Sequence, residues 1–144
     1  MNPALNDQTS PSGNAAPRLA ILVADDVRDL QELISLWLTE AGHAVTAASN
    51  GREVIRCVQD QPFDLLVTDI IMPDGDGWDA IAEVHRLRPE MRILAISGGS
   101  REMPASAVLR VAQGAGAIGV LKKPFSRVDL LEAVGRIVAL RRGK

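Results

Sequence analysis

The strongest constraint on the fold is an alternation of two kinds of segment, which repeats five times along the chain. One kind is a short apolar run, typical of a strand that is buried on both faces. The other has apolar residues at helical spacing, typical of a helix with one buried face. The predicted strands are 19–24, 43–48, 63–68, 91–96 and 117–121, and the predicted helices are 27–41, 51–60, 77–87, 104–113 and 126–140.

Five strand–helix units in series predict an α/β fold, with a doubly wound parallel sheet of five strands covered by five helices. The strand at 43–48 is less apolar than the others, which places it nearer an edge of the sheet. Open parallel sheets bind their ligands beyond the carboxyl ends of the strands. The residues that follow each strand are therefore the candidates for a functional site.

Polar residues stand at four of these strand ends. Asp25 and Asp26 follow the first strand, Asp69 the third, Ser97 the fourth and Lys123 the fifth. Each could have a purely structural role, since aspartate commonly caps helices. Two carboxylates 4 Å apart, however, repel by about 4 kcal/mol at an effective dielectric constant of 20. Either one carboxyl group is protonated or a bound cation balances the negative charges. A set of oxygen ligands without His or Cys suits Mg²⁺.

A lysine and a hydroxyl beside such an ion would form a pocket for a phosphoryl group. Lys123 would neutralise one phosphoryl oxygen, and Ser97 would donate a hydrogen bond to another. A carboxylate at the centre can act as a nucleophile and form an aspartyl phosphate. Asp69, at the end of the central strand, is the natural candidate.

Four motifs in order, each at the end of its own strand, resemble the receiver domain of bacterial two-component response regulators. The motifs are VADD at 23–26, TDIIMPDGDG at 68–77, the serine after LAI at 97, and LKKPF at 121–125. The resemblance covers residues 18–140 and implies a flavodoxin-like (βα)5 fold with strand order 2-1-3-4-5. It also implies a stand-alone, CheY-like switch rather than an enzyme that acts on other molecules.

For the acidic residues, the resemblance implies that Asp69 is the phospho-acceptor. Asp25, Asp26 and Asp69 would hold Mg²⁺, Asp26 more directly than Asp25, and the main-chain carbonyl of Ile71 would supply a further ligand. The side chain of Ile71 is apolar and bulky, and we hypothesise that it limits the access of water and slows self-dephosphorylation.

For the remaining site residues, the resemblance implies that Ser97 is the switch hydroxyl. Lys123 would pair with the phosphoryl group because it directly precedes Pro124, and the Lys-Pro bond of the family is cis. Val120 stands where many receivers have an aromatic residue, three positions before the lysine. The aromatic switch of the family is therefore not expected to operate here in its usual form.

The expected partners are a sensor histidine kinase or phosphotransfer protein as donor, and a downstream protein or a second copy of the chain. The second partner would read the face formed by the fourth helix, fifth strand and fifth helix. The formal charge of −2 and the scarcity of aromatic residues argue against a nucleic-acid partner. No apolar run approaches the roughly 18 residues of a membrane span. A single cysteine, Cys57, favours a reducing cytoplasm.

Two alternatives remain open, and two others are disfavoured by the sequence. The chain could be a receiver-like interaction module that works without phosphorylation, or a receiver fragment of a longer regulator. A phosphatase with an aspartate nucleophile would carry an acid two residues later, where Ile71 stands. A calcium loop starting at Asp74 fails, because Trp78, Asp79 and His85 occupy its fifth, sixth and twelfth positions.

The composition divides the chain into three parts. Residues 1–17 are rich in Pro, Ser, Asn and Ala and are predicted to be a disordered tail. Residues 18–141 are the predicted receiver domain, and residues 142–144 are a short basic end.

Overall fold

The computed structural model describes residues 18–72, 77–98 and 104–139. The predicted tail at 1–17 and the basic end at 142–144 lie outside the described residues, as do the first three residues of the DGDG motif. Their predicted states therefore stay predictions.

Strands and helices alternate in the order that the sequence predicts, and all ten predicted elements are present. The strands are β1 (Ala20–Ala24), β2 (Ala44–Ala48), β3 (Leu65–Asp69), β4 (Arg92–Ser97) and β5 (Gly119–Lys122). The helices are α1 (Arg28–Glu40), α2 (Gly51–Asp60), α3 (Gly77–Leu87), α4 (Ala105–Ala115) and α5 (Arg127–Ala139).

The five strands form one parallel sheet in the order β2-β1-β3-β4-β5. This confirms the predicted fold class and strand order, and β2 lies at an edge as its weaker apolar character indicated. The register pairs Asp69 of β3 with Ile96 of β4, and Ser97 of β4 with Lys122 of β5. The carboxyl ends of the central strands are therefore level with one another.

The helices cover both faces of the sheet and create two separate apolar cores. Leu66 belongs to the core that also contains residues of α2, α3 and α4, such as Ile81 of α3. Its neighbours Leu65 and Val67 belong to the other core, with Leu130 of α5 and residues of α1. Because successive side chains of a strand point to opposite faces, strands buried on both faces are apolar at every position.

The strand boundaries differ from the prediction at the functional edge. Asp69 and Ser97 are the last residues of β3 and β4 rather than the first residues after them. Their backbones still pair with the neighbouring strand, and the amide of Ile70 also donates to the carbonyl of Ile96 at 3.1 Å. Hydrogen bonding therefore carries the strands past the point where the apolar run stops.

The predicted buried face of α5 is wrong at one position. The apolar spacing of 126–140 predicts a buried side made of Val128, Leu131, Val134, Ile137 and Val138. Val128, however, is 61% exposed. The buried stripe is Leu130, Ala133, Val134 and Ile137, which recur at three- and four-residue spacing. A helix turns about 100° per residue, so Val128 lies on the opposite side from Leu130.

Across the described residues, none of the helices combines the length and the apolar character that crossing a lipid bilayer requires.

Candidate functional site at the carboxyl edge of the sheet

The topology brings the predicted site residues from four neighbouring strands to one edge. Asp25 directly follows β1, Asp69 and Ser97 end β3 and β4, and Lys123 directly follows β5. The exposed fractions of Asp25, Asp69 and Ser97 are 1%, 5% and 0%. These polar side chains are thus held by the most buried part of the protein, where their positions are tightly restrained.

Three carboxylates form a cluster at this edge. One oxygen of each of Asp25, Asp26 and Asp69 lies within 4.8 Å of the other two. Asp25 and Asp69 are buried, whereas Asp26 is exposed at the mouth of the cluster. The donor set consists of oxygen atoms, as hard divalent cations such as Mg²⁺ require.

The buried Oδ2 atom of Asp25 supports the fit of a cation. This oxygen makes no hydrogen bond with any described residue, although an unpaired buried carboxylate oxygen is costly. Among the described residues, its one ion pair is with the Nζ of Lys123, at 3.5 Å. If all three carboxylates are ionised, they carry two more negative charges than the ammonium of Lys123 balances, and a divalent cation would match this excess. The residues therefore fit Mg²⁺.

Lys123, and not Lys122, reaches the carboxylates. Its Nζ donates to Oδ2 of Asp69 at 2.9 Å, whereas the side chain of Lys122 is exposed. The amide of Lys123 donates to the carbonyl of Ser97 at 3.1 Å, which ties the lysine to the end of β4. The Lys123–Pro124 peptide is cis, as the resemblance predicts.

Electrostatics in the cluster are governed by burial and by the neighbouring charges. Burial raises the pKa of Asp25, and the charges of Asp69 and Asp26 act in the same direction, against the Val27 amide and Lys123. Burial disfavours the charged form of Lys123, but its hydrogen bond to Asp69 and the charges of Asp69 and Asp25 outweigh it. The pKa of Lys123 is therefore raised, and the lysine is charged at neutral pH.

Both oxygens of Asp69 are held. Oδ1 accepts a hydrogen bond from the amide of Ile71 at 3.1 Å, and Oδ2 accepts from Lys123. The side chain of Ile71 is 40% exposed beside this carboxylate. The backbone amide of Ile71 therefore contacts Asp69. Ligation of Mg²⁺ by the backbone carbonyl of Ile71 stays a prediction.

The remaining predicted residues are Ser97, Pro124 and Val120. Ser97 is completely buried, and Pro124 is exposed. Val120 is half-buried and packs against the core formed with α2, α3 and α4. Ser97 and Pro124 are therefore at or next to the carboxyl edge, whereas Val120 lies inside the sheet as the second residue of β5.

Sequence reasoning missed one residue of this edge, Gln31 of α1. Its Nε2 donates to the carbonyl of Ala48 at 2.7 Å and to the carbonyl of Asp25 at 3.2 Å. A glutamine in the first turn of an amphipathic helix does not belong to any recognisable sequence motif. The only available signal was its distance of six residues from Asp25.

Comparison with known proteins gives a family match for most of the chain. Residues 21–135 match the family model described as response regulator receiver domain. The chain is 35% identical over 116 residues to the DNA-binding transcriptional regulator NtrC of Azospirillum brasilense, covering 81% of this chain and 23% of that protein. It is 32% identical over 120 residues to the response regulator receiver protein CpdR of Brucella abortus, covering 82% of this chain and 95% of that protein.

Solved structures agree with these relatives. A CheY-like response regulator receiver domain protein from Methanospirillum hungatei superposes with a TM-score of 0.77 at 25% identity, covering 85% of this chain and 94% of that one. The chain therefore spans about a quarter of the NtrC regulators that it matches, but nearly all of the single-domain proteins.

Proposed function

This chain belongs to the response regulator receiver domain family, and on that premise we propose that it is a signalling switch that accepts a phosphoryl group on Asp69 with Mg²⁺ bound. The observation that carries the proposal is the placement of Asp69. Its carboxylate ends a central buried strand, lies in the cluster with Asp25 and Asp26, and contacts Lys123 at 2.9 Å.

The donor is the phosphohistidine of a sensor histidine kinase or of a phosphotransfer protein. A carboxylate oxygen of Asp69 forms the new bond to phosphorus, and the bond from phosphorus to the histidine nitrogen breaks, with its electron pair returning to the imidazole. When bound at Asp25, Asp26 and Asp69, Mg²⁺ supplies neutralisation of the phosphoryl charge. Lys123, already beside Asp69, pairs with one phosphoryl oxygen.

The new charge then shifts a conformational equilibrium. Ser97 and Lys123 each form a charge-assisted hydrogen bond to the phosphoryl group, worth about 1.5–3 kcal/mol. Moving a two-state equilibrium from 1:99 to 99:1 requires about 5.5 kcal/mol, so two such bonds are of the right size. Because Val120 replaces the usual aromatic residue, another part of β5 or α4 transmits the change.

The face formed by α4, β5 and α5 is the output surface in this proposal. Among the described residues, α4, the turn before β5 and α5 each expose one large apolar side chain, namely Val111, Ile118 and Val128. The partner that reads this surface in the proposal is a downstream protein or a second copy of the chain. A cytoplasmic location, and the absence of enzymatic turnover on other molecules, are part of the same proposal.

The test is the intact mass of the protein after incubation with acetyl phosphate, with and without Mg²⁺. We expect a gain of one phosphoryl group that requires Mg²⁺ and is absent in Asp69→Asn. Asp60→Asn, which makes the same change at an exposed site on α2, should retain the gain. No gain in a folded protein that binds Mg²⁺ would instead favour the phosphorylation-independent interaction module. Repeated turnover of a small phosphate ester would favour the phosphatase.

A further inference from the structure

Gln31 joins the ends of two neighbouring strands beneath the acidic cluster. It is the fourth residue of α1 and is half-buried. Its single side-chain amide donates to the carbonyl of Ala48, the last residue of β2, and to the carbonyl of Asp25, which directly follows β1. One amide nitrogen therefore bridges two chain segments at the functional edge.

These carbonyls lie where regular strand pairing stops. The β1–β2 ladder ends at the Ala24 and Ala48 pair, after which the amide of Asp25 donates to the carbonyl of Ala48 at 3.2 Å. The carbonyl of Asp25 has passed the end of the ladder, and Gln31 supplies its donor. A side chain of the following helix thus extends the hydrogen bonding of the sheet by one residue.

The extension acts on the two acidic residues directly. The carbonyl of Asp25 belongs to the peptide group that links Asp25 to Asp26, so holding it restrains the backbone of both residues. On the other side, Oδ1 of Asp25 accepts from the amide of Val27 at 2.8 Å. The short turn between β1 and α1 is therefore fixed from both sides.

Asp26 depends on this restraint more than the other two carboxylates. Asp69 is held through both of its oxygens, and Asp25 through Oδ1. Asp26 is exposed, and none of its hydrogen bonds within the described part of the chain involves the side chain. Its direction is set by its own backbone, and that backbone is held by Gln31.

We propose that Gln31 is a positioning residue for the Mg²⁺ site, which holds the Asp25–Asp26 peptide so that both carboxylates face the cation. The inference rests on the proposed function for the identity of the cation, but it concerns cation binding and not phosphoryl transfer. Groups that orient metal ligands are worth roughly 10- to 100-fold in metal affinity. Gln31 acts through the main chain, so we expect the lower end of that range.

The first experiment measures the Mg²⁺ dissociation constant of the full chain by calorimetric titration. Gln31→Met removes the donor at nearly constant volume, and we expect binding about 10-fold weaker than in the wild type. Gln59→Met makes the same change on an exposed part of α2 and should leave the constant unchanged. Circular dichroism at the same temperature establishes that each variant is folded.

The second experiment follows the rate of labelling by acetyl phosphate against Mg²⁺ concentration. Gln31→Met should need about 10-fold more Mg²⁺ for half of the maximal rate, because positioning affects cation affinity. The rate at saturating Mg²⁺ should equal that of the wild type, because Gln31 has no hydrogen bond to Asp69 or Lys123. A merely structural role would lower the stability of the protein without moving the half-saturation point.

A third measurement needs no variant and decides the matter if Gln31→Met does not fold. Coupling between two equilibria is reciprocal, so a hydrogen bond that favours Mg²⁺ binding is itself strengthened by Mg²⁺. Hydrogen exchange of the Gln31 side-chain amide, followed by NMR in the wild type, should slow when Mg²⁺ saturates. Exchange at Gln59 should not change.

The outcomes separate the two proposals. Unchanged Mg²⁺ affinity in folded Gln31→Met, or unchanged exchange at Gln31, overturns the positioning role even if Asp69 is labelled normally. Mg²⁺ binding that depends on Gln31, without labelling of Asp69, overturns the proposed function and leaves the positioning role standing. A wild-type chain that binds no Mg²⁺ overturns both.

Discussion

His43 shows how burial tunes a single side chain. It directly precedes β2 and is buried, and its Nδ1 accepts a hydrogen bond from the amide of Leu19 at 3.1 Å. Burial lowers its pKa from the ordinary value of 6.5, because the charged imidazolium loses its hydration. Protonation of Nδ1 would also replace the acceptor with a donor that faces the Leu19 amide.

A pH dependence of stability follows from this lowered pKa. Below about pH 6.5 the unfolded chain takes up a proton at His43 more readily than the folded protein does, so stability is lost as the pH falls. The loss is at most about 1.4 kcal/mol per pH unit. We expect the difference in unfolding free energy between wild type and His43→Gln, measured in urea, to shrink below about pH 6.5. A difference that is the same at every pH would contradict this role.

A second prediction for a single residue concerns Ile71 and the lifetime of the aspartyl phosphate. Its backbone amide contacts Asp69, and its exposed apolar side chain offers no hydrogen bond to water, whereas a side-chain amide at this position would orient an attacking water molecule. Ile71→Asn should shorten the lifetime of the aspartyl phosphate about five-fold, the equivalent of one hydrogen bond of about 1 kcal/mol. Loss of label after removal of acetyl phosphate measures this lifetime. Ile71→Val is the apolar control, and an unchanged lifetime in Ile71→Asn would show that the isoleucine does not exclude water.

Residues with a sequence motif were predictable, and residues defined by a contact were not. Asp69 and Lys123 are recognisable because each follows an apolar run within a family motif. The bond between Gln31 and the carbonyl of Ala48 depends on where a strand ladder stops in space. No local pattern encodes that point, since the two residues lie 17 positions apart in the chain.

At the scale of elements, the start of α5 fixes the chain directly after the lysine and its proline. The hydroxyl of Ser126 accepts from the amide of Asp129 at 3.1 Å, and the carboxylate of Asp129 accepts from the amide of Ser126 at 3.0 Å. This reciprocal pair satisfies two amides at the first turn of the helix. Phe125, directly before it, packs edge-on against Trp37 of α1 with ring centroids 6.5 Å apart.

The hydrogen bonds of Ser126 at the start of α5 give a prediction for the stability of the protein. Ser126→Ala should lower the unfolding free energy by about 1 kcal/mol, the usual effect of losing a serine cap. Ser106→Ala is the matched control, because Ser106 is exposed on α4 and is not its N-cap. Urea unfolding compares the two variants, and equal effects would show that the hydrogen bonds at Ser126 contribute nothing.

The alternation of apolar patterns in the sequence was enough to predict which helices and strands form and in what order. It was not enough to predict where two strands end or which side of α5 is buried. The end of β3 lies beyond its apolar run, because Asp69 still pairs with β4. At the start of α5, Val128 lies two residues before the buried stripe begins at Leu130. A single apolar residue in the first turn does not determine which side of a helix is buried. In α5, the packing of the helix against the sheet determines it.

At the scale of the whole molecule, the carboxylate cluster links stability to the cation. A ligand that binds only the folded state adds about 2.7 kcal/mol at a concentration 100 times its dissociation constant. For a domain of this size, that addition corresponds to a rise in melting temperature of roughly 10 °C. We expect saturating Mg²⁺ to produce this rise and a chelator to reverse it.

Asp26→Asn is the informative variant for this expectation. Asp26 is exposed, so its replacement should leave the melting temperature without Mg²⁺ almost unchanged while removing most of the rise with Mg²⁺. Sodium chloride at equal ionic strength controls for screening. The same rise with the salt, or in Asp26→Asn, would show that the cluster does not bind the cation specifically.

The level carboxyl ends of β1, β3, β4 and β5 gather the proposed chemistry at one edge of the sheet. The turns 41–43, 61–64, 88–91 and 116–118 lie at the other edge, where each helix returns to the next strand. Substitutions in those turns therefore lie away from the proposed phosphorylation site, whereas substitutions at the first edge alter that site directly. In the laboratory, the same separation makes the exposed positions 89 and 90 a place to open the chain or insert a reporter peptide while the switch stays intact.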